Sequence, residues 1–340
     1  MTLSLDDFGK RVLAPQMAKL ASQIDFDGLQ AATLGYYTAN SGVVSVNPVW
    51  NTVGTAGVTP GTSGGTAAGL FQYNAPQVYL NAGMMLDNNA VPRDNSRSCI
   101  LNPAAHASSV AGLSGLFNPN GTIGEQYKKG MLGNALGFDF LMDQNINNLV
   151  YGATALIGGT ASADIVNGAS TIAVTGCGNN ATVKAGAVFT LAGIYSVNYE
   201  NQQSTGQLQQ FVVTADTLLN GSGVGTLPIA PKIVLAGAGI ANGQVNSLSA
   251  NSKAVVWATG LTGDQSVPQN IAYHKDAFTF ATADLEIPGG MDFTARETYD
   301  GISMRIVRGY DINNDNIICR VDVLGGFANL RPEMACRILG

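Results

Sequence analysis

Residues 3–32, LSLDDFGKRVLAPQMAKLASQIDFDGLQAA, are the one long stretch of the chain whose apolar positions keep a helical period. Phe8, Val12, Leu20 and Ile24 recur at multiples of four, and Leu13 and Met17 fill the same face. Ser4 with Asp7 three residues on reads as a capping box, Asp6 puts negative charge in the first turn, and Gly35 offers a stop. At ~1.5 Å per residue such a helix spans ~45 Å, longer than most single domains need, so it reads as a spine on which other elements are hung. Pro15 inside it removes one backbone hydrogen bond and predicts a bend or a restart at that residue. The plainer alternative is an ordinary amphipathic core helix.

The rest of the chain must supply a covering with little charge. Charged residues are 12% of the 340 positions while 42 are glycine, so the surface is mostly Asn, Gln, Ser, Thr and Gly. With 46% apolar residues the chain can bury a core and suits two or three domains. A low-charge surface suits burial against copies of the same chain, because few ions have to be desolvated. The net charge is −6 and the basic pairs Lys10-Arg11 and Lys128-Lys129 stand isolated, which excludes a nucleic-acid footprint. Cys99, Cys177, Cys319 and Cys336 are far apart with no C-x-x-C, and His106 and His274 are the only histidines. That argues against a disulfide scaffold and a zinc site and for free thiols in a reducing compartment. Asp6 and Asp7 stand where a signal peptide needs basic residues, and no apolar run approaches ~18 residues, so neither export nor membrane insertion is expected.

In chain order, Thr38 to Leu70 is dense in Gly, Thr, Ser and Pro with short β-type pieces, an extended excursion and not core. Gly61 to Gly69 lacks both the Lys-Ser/Thr ending of a P-loop and the dinucleotide spacing. Ala75 to Leu86 reads as a helix opened by Pro76, Ser98 to Leu101 as a buried strand, and the segment after it as a helix capped by Asn102 with Pro103 at its start. His106 on that helix has no partner motif and reads as solvated or capping. Leu132 to Asn145 reads as a strand pair bent near Gly137, with Asp139 and Asp143 on its polar face and not an acid/base pair.

Between Ala153 and about Asn270 helical periodicity vanishes. Short β-type runs at Thr171 to Val174, Ala187 to Ala192, Gln210 to Thr214, Lys232 to Leu235 and Ala254 to Trp257 are separated by Gly/Asn turns, the pattern of a separate barrel or sandwich. It holds four acidic and three basic residues, too few for a charged catalytic cluster. The last seventy residues, from Ile271, carry 17 of the 40 formal charges and contain a hairpin in which Ile302, Met304 and Ile306 alternate with more polar positions and Ile317, Cys319, Val321 and Val323 do the same. Its turn sets Asp311, Asn313, Asp315 and Asp322 at calcium-loop spacing, but Asn316 stands where that loop needs glycine and the flanks are strands, so a polar hairpin loop is preferred.

VKAGAVFTLAGIYSVN, QSTGQLQQFVVTAD, AYHKDAFTFATADLEIP and above all RETYDGISMRIVRGYDINNDNIICRVDVLGGFANLRPEMACRILG resemble the major capsid (coat) proteins of tailed bacteriophages, of the type found in Salmonella phage. LSLDDFGKRVLAPQMAKLASQID resembles the start of that family's spine helix, and LNPAAHASSVAGLSGLFNP with GMLGNALGFDF its central domain, so the resemblance spans nearly the whole chain in order. It implies an α+β Hong Kong 97-like fold: a long spine helix, a peripheral β-hairpin, and an axial mixed sheet with helices, plus an inserted all-β barrel or sandwich. The expected organisation is a spine helix of the peripheral domain at 1–36, an extended loop or intersubunit arm at 37–73, the axial domain's first part at 74–152, the inserted β-domain at 153–270, and a return to the axial and peripheral domains with the hairpin at 271–340.

The resemblance also implies a structural subunit with no catalytic, cofactor or metal site. It assembles with itself as hexamers and pentamers into an icosahedral head around double-stranded DNA, without sequence-specific binding and without a membrane. Expected partners are a scaffolding protein, a portal and a decoration or cement protein; the expected place is the virion, after synthesis in the bacterial cytoplasm. The competing readings are another self-assembling β-rich virion component, tail or adhesin-like, and an enzyme, the latter lacking any triad order, ligand spacing or cofactor loop. Relatives carry an N-terminal arm and a β-hairpin loop ahead of the spine, whereas here the spine begins almost at Met1. The expectation is therefore a chain that starts late or a rearranged topology in which Tyr37 to Tyr73 serves as the arm, with part of the β-module as the alternative.

Overall fold

The computed structural model describes residues 14–34, 48–53, 76–113, 132–150, 157–237, 243–257, 266–290, 293–299, 301–314 and 316–339. Helix α1 runs Ala14–Leu34 with Pro15 in its first described turn. The stretch from Ser4 to Leu13, with Phe8 and Val12, lies outside the described residues, as does the expected arm at 37–73 apart from residues 48–53, which are core and not excursion: Val49, Trp50, Asn51 and Thr52 are buried, and Thr52 and Val53 pair with the C-terminal strand. Met17, Leu20 and Ile24 are only half-buried; the deeply buried positions are Asp27, Leu29, Ala31, Ala32 and Thr33. The helix thus enters the core by its C-terminal end.

A buried helix end leaves carbonyls that need donors. Here Asn329 Nδ2 donates to Ala31 O at 3.0 Å and the Val49 N–H to Ala32 O at 3.3 Å. Thr33 Oγ1 donates to Leu29 O at 2.9 Å, and Asn147 Nδ2 donates to Thr33 Oγ1 at 3.0 Å. Gly28 permits the close crossing of this helix over Phe327: a Cβ there would sit 2.8 Å from the ring's Cε1, and that ring is stacked on Phe280 at 4.6 Å. Gly28→Val is expected to lower stability by ~1–3 kcal/mol through overpacking, despite valine's better helix propensity. Thermal unfolding of the purified variant checks it.

After α1 come β1 (Thr52–Val53), α2 (Pro76–Asn88), β2 (Arg97–Leu101), α3 (Pro103–Leu113), β3 (Asn134–Ala135), β4 (Phe138–Met142) and β5 (Asn148–Val150). Then follow β6 (Thr160–Ala161), β7 (Thr171–Thr175), β8 (Thr182–Val183), β9 (Val188–Val197), β10 (Ser204–Val213), β11 (Thr217–Leu218), β12 (Gly225–Ala230) and β13 (Val255–Trp257). The C-terminal strands are β14 (Ser266–His274), β15 (Phe278–Ala283), β16 (Phe293–Tyr299), β17 (Ile302–Asp311), β18 (Asn316–Asn329) and β19 (Ala335–Leu339).

The first sheet is mixed, in the order β1-β19-β14-β2-β4-β3 with β5 pairing the start of β14. β1 with β19 and β2 with β4 are parallel, and the other pairs are antiparallel. Helices α2 and α3 open as their sequences require, each with proline at its first residue. At α3, Asn102 Oδ1 accepts the Ala105 N–H at 2.8 Å. Gly137 (φ 84°) and Leu136 (φ 53°) make the tight turn between β3 and β4. Tyr79, Leu86, Cys99, Leu101, Phe138 and Ile338 form this core, with Tyr79 edge-on to Phe140 at 5.1 Å.

The second sheet runs β13-β9-β10-β12-β7-β6 and closes on itself. A bridge joins Thr160 to Ala254, the Ala161 N–H donates to Lys253 O at 2.9 Å, and the Val255 N–H donates to Gly159 O at 2.8 Å. Closure removes both edges and makes a small antiparallel barrel filled by side chains such as Phe189, Phe211, Leu227 and Trp257. The run Lys232 to Leu235 is not a strand; the chain turns away at Pro231, and the strand lies earlier, at β12, whose Pro228 and flanking glycine mask it in the sequence. The third sheet, β15-β18-β17-β16, is an antiparallel ribbon that includes the expected hairpin.

Candidate assembly surface

The ribbon has an unusual distribution of side chains for a sheet in a single chain. Register places Phe293, Ala295, Met304, Ile306, Val321 and Val323 on one face, interrupted by Glu297 opposite Met304 and Arg308 opposite Phe293, since directly opposed residues share a side. Arg296, Arg305, Arg320 and Asp322 lie on the other face. Among the described residues the apolar face is covered only toward its base, where Phe327 meets α1. Farther out its residues are half-buried or exposed; at the tip Tyr310 and Ile317 continue this face and are 54% and 68% exposed, while Ile312 in the turn and Ile318, on the other face opposite Gly309, are 82% and 57% exposed. Apolar clustering of this kind at an element's end marks a contact surface.

On the polar face Asp322 accepts from both Arg305 and Arg320, and these partners hold its carboxyl below the ordinary range against the opposing effect of burial. At the turn, Asp311 Oδ1 accepts the Asn313 N–H at 3.0 Å and Oδ2 accepts from Asn314 Nδ2 at 2.8 Å. The residues with calcium-loop spacing therefore separate: Asp322 pairs with the strand opposite, in register with Arg305, while Asp311 closes its own turn against Asn316. Asp315 lies outside the described residues.

Between α1, the first sheet and the ribbon's base lies an apolar cavity of about 440 Å³, lined by Ile24, Leu29, Ile100, Tyr273, Phe280 and Phe327 among others, with Asp25 at its margin. The barrel is held to the first sheet by uncharged amides and by one arginine. Gln210 Oε1 accepts from Thr52 Oγ1 at 2.9 Å and its Nε2 donates to Thr52 O at 2.9 Å, so one side chain completes the hydrogen bonding of the edge strand β1. Asn198 Nδ2 donates to Asn88 O at the end of α2, 2.8 Å away. Trp50, Val188, Val212 and Ala230 fill the space beside them. Arg337, fully buried in β19, donates from Nη2 to Gly186 O at 3.0 Å and from Nη1 to Gln269 Oε1 at 3.3 Å.

The remaining charged residues do structural work. Arg97, 4% exposed, donates to Asp87 Oδ1 at 2.9 Å and to Pro92 O at 3.0 Å, tying the end of α2 to the start of β2. Arg93 also bonds Asp87, whose carboxyl is held below the ordinary range by that bond and by Arg97, against burial. His274, 1% exposed, faces the Asp276 N–H at 3.3 Å and Asp276 Oδ2 at 3.5 Å from Nδ1 and Asp94 Oδ1 at 3.1 Å from Nε2. His106 is half-buried on α3, more enclosed than its sequence setting implies, and burial lowers its pKa. Cys99, Cys177 and Cys336 are buried and Cys319 half-buried, all as free thiols; burial raises Cys177 to about 11 and Cys336 to about 12. Asp139 is exposed on β4, and Asp143 stands just past its end beside Asp25. Among the described residues no three His, Cys, Asp or Glu side chains group as metal ligands, and no helix is long and apolar enough to cross a membrane.

Sequence reasoning missed Arg337, the Asp25 to Asp143 contact and the Gln210 clamp. The one available signal was ACRIL, an apolar run interrupted by a single arginine, which is how a strand buried on both faces reads.

No curated protein matches the chain. Among solved structures, one from Mycobacterium phage Che8 aligns over 98% of this chain and 63% of its own, at 11% identity and a TM-score of 0.37. The chain thus spans somewhat under two thirds of that structure's length. The CUS-3 coat protein I-domain aligns over 31% of this chain and 97% of its own, at 21% identity and a TM-score of 0.23. The family model described as P22 coat protein, gene protein 5, matches residues 60–340. A match over that much of the sequence decides the matter: the chain belongs to the P22 coat protein family, a family of structural capsid proteins and not a class of enzymes.

Proposed function

We propose that this chain is the major capsid subunit of a tailed phage, assembling through its own hexamers and pentamers into an icosahedral head around double-stranded DNA. The observation that carries the reading is the ribbon, whose apolar tip the described chain leaves exposed although two well-filled cores lie elsewhere in the same molecule. The low surface charge supports it, because such faces can be buried between copies at little desolvation cost.

On this reading α1 belongs to the spine at 1–36, and the parts of 37–73 on either side of the buried segment 48–53 are the intersubunit arm. Residues 74–152 with part of 271–340 make the axial domain, the segment expected at 153–270 is an inserted β-domain except for 266–270, which lie in β14 of the first sheet, and the ribbon is peripheral, in a Hong Kong 97-like arrangement. A scaffolding protein and the portal are the partners of such a shell, with a decoration protein as an optional addition, and synthesis takes place in the host cytoplasm before the subunit enters the virion. Electron microscopy of the purified full chain tests it. Closed shells of uniform diameter are expected; only monomers or small rings, with and without co-expressed scaffold, overturn the reading.

A further inference from the structure

We propose that the ribbon's tip on one copy of this chain inserts into the apolar cavity at the ribbon's base on a second copy. Both surfaces belong to the capsid subunit of the assembly reading, on which this contact rests. The tip is apolar on every side: Tyr310 and Ile317 lie on the face shared with Met304, Ile318 on the opposite face and Ile312 in the turn between the strands, all more than half exposed. A knob of this kind is not covered by laying one flat face against a neighbour; it calls for a concave receptor.

The cavity at the base has the matching character. Ile24 of α1, Ile100 of β2, Tyr273 of β14, Phe280 of β15, Ile302 of β17 and Phe327 of β18 converge on about 440 Å³, and each is only half-buried among the described residues. That volume falls in the ~300–1,000 Å³ range of pockets that enclose a small ligand, so it admits aliphatic side chains. A chain cannot fill this cavity with its own tip. Ile302 on the cavity wall and Asp311 at the tip are the two ends of β17, ~30 Å apart at ~3.3 Å per residue, and an unbroken ladder from Met304 opposite Val323 to Asp311 opposite Asn316 keeps the ribbon extended.

The charges beside the two surfaces suit the pairing. Asp25 stands exposed at the cavity's rim, and among the described residues no cation makes an ion pair with it. Next to the tip, Arg320 shares the face of Ile318, is 72% exposed, and divides the Asp322 carboxylate with Arg305, so two guanidiniums face one acid there. The Asp311 carboxylate is turned back into its own loop by Asn313 and Asn314. Because knob and cavity are different patches of one chain, the contact is heterologous. It leads from copy to copy and closes as a ring where the rotation permits, which a pentamer or hexamer requires; a two-fold tip-to-tip contact would stop at a pair.

Thiol crosslinking of the full chain tests it, with Cys319→Ser throughout because that half-buried thiol lies on the ribbon, whereas Cys99, Cys177 and Cys336 are buried. Ile312→Cys at the tip is combined with Ala21→Cys at the cavity's exposed rim, and the protein is treated with a short bifunctional thiol reagent at concentrations that give shells. Most of the chain should leave the monomer band as a ladder reaching pentamers or hexamers, while each single variant stays at the monomer. Asp25→Cys, also on the rim, replaces Ala21→Cys if that variant folds poorly. Dimers from Ile312→Cys alone would set tip against tip and overturn the proposal. Closed shells without a ladder from either rim position overturn it and leave the capsid reading standing; a parent chain that does not associate at all removes both.

Discussion

Arg337→Ala is expected to lower the unfolding free energy by roughly 3–5 kcal/mol, the combined effect of an emptied buried volume and two acceptors stripped of their donor. The guanidinium is wholly enclosed in β19, beside β1 and β14, and its two ends reach different parts of the molecule: Gly186 O at the entry to β9 and Gln269 on β14. Guanidinium is weakly hydrated for a cation and its fork can serve two acceptors at once, which makes arginine the cation best suited to this place. Because one end holds the barrel and the other the mixed sheet, the loss should appear in both. Urea unfolding followed by tryptophan fluorescence reads it, since Trp50 lies at the junction and Trp257 in the barrel. Arg337→Met fills most of the volume and separates the two causes: recovery of more than half the loss would assign it to packing, and no recovery to the orphaned carbonyls. A variant as stable as the parent would show that neither contact matters.

What the sequence disclosed followed from local chemistry. Proline and asparagine at helix starts, Gly137 at its turn and the period-2 alternation of Ile302 to Ile306 against Ile317 to Val323 each act over a few residues, and each element appears where those residues put it. The barrel was legible as β-type runs between turns, but not its closure, which depends on Thr160 meeting Ala254 across more than ninety residues. The buried stretch of α1 was misplaced for a similar reason. Apolar period marks Leu20 and Ile24, yet burial depth is set by where Gly28 lets the helix approach Phe327, a residue some three hundred positions away. The amide clamp had no signature, because Gln210 and Asn198 look like any other polar residue of a low-charge surface. Family resemblance carried the functional reading, and the composition was compatible with it without being able to select it.

Replacing Ile312, Ile317 and Ile318 together by serine should leave a folded subunit that no longer forms shells. These side chains are 82%, 68% and 57% exposed in the chain by itself, so each change should alter monomer stability by no more than ~0.5 kcal/mol, the usual range for surface positions. The hairpin itself should persist, since its ladder from Met304 opposite Val323 to Asp311 opposite Asn316 is made by backbone groups and its turn is closed by Asp311, Asn313 and Asn314. In a shell each tip would be buried against a neighbour. At ~25 cal/mol per Å² of apolar surface, three isoleucines buried on every copy contribute several kcal/mol per subunit. Closed shells repeat that contact over all subunits, so its loss should be visible as a change of state and not of degree. Circular dichroism and thermal unfolding should match the parent, while sedimentation shows only slow species and microscopy shows no closed particles. Shells of normal size and yield from the triple variant would mean that the tip faces solvent in the particle, and that the contact surface lies lower on the ribbon, around Met304, Ile306, Val321 and Val323.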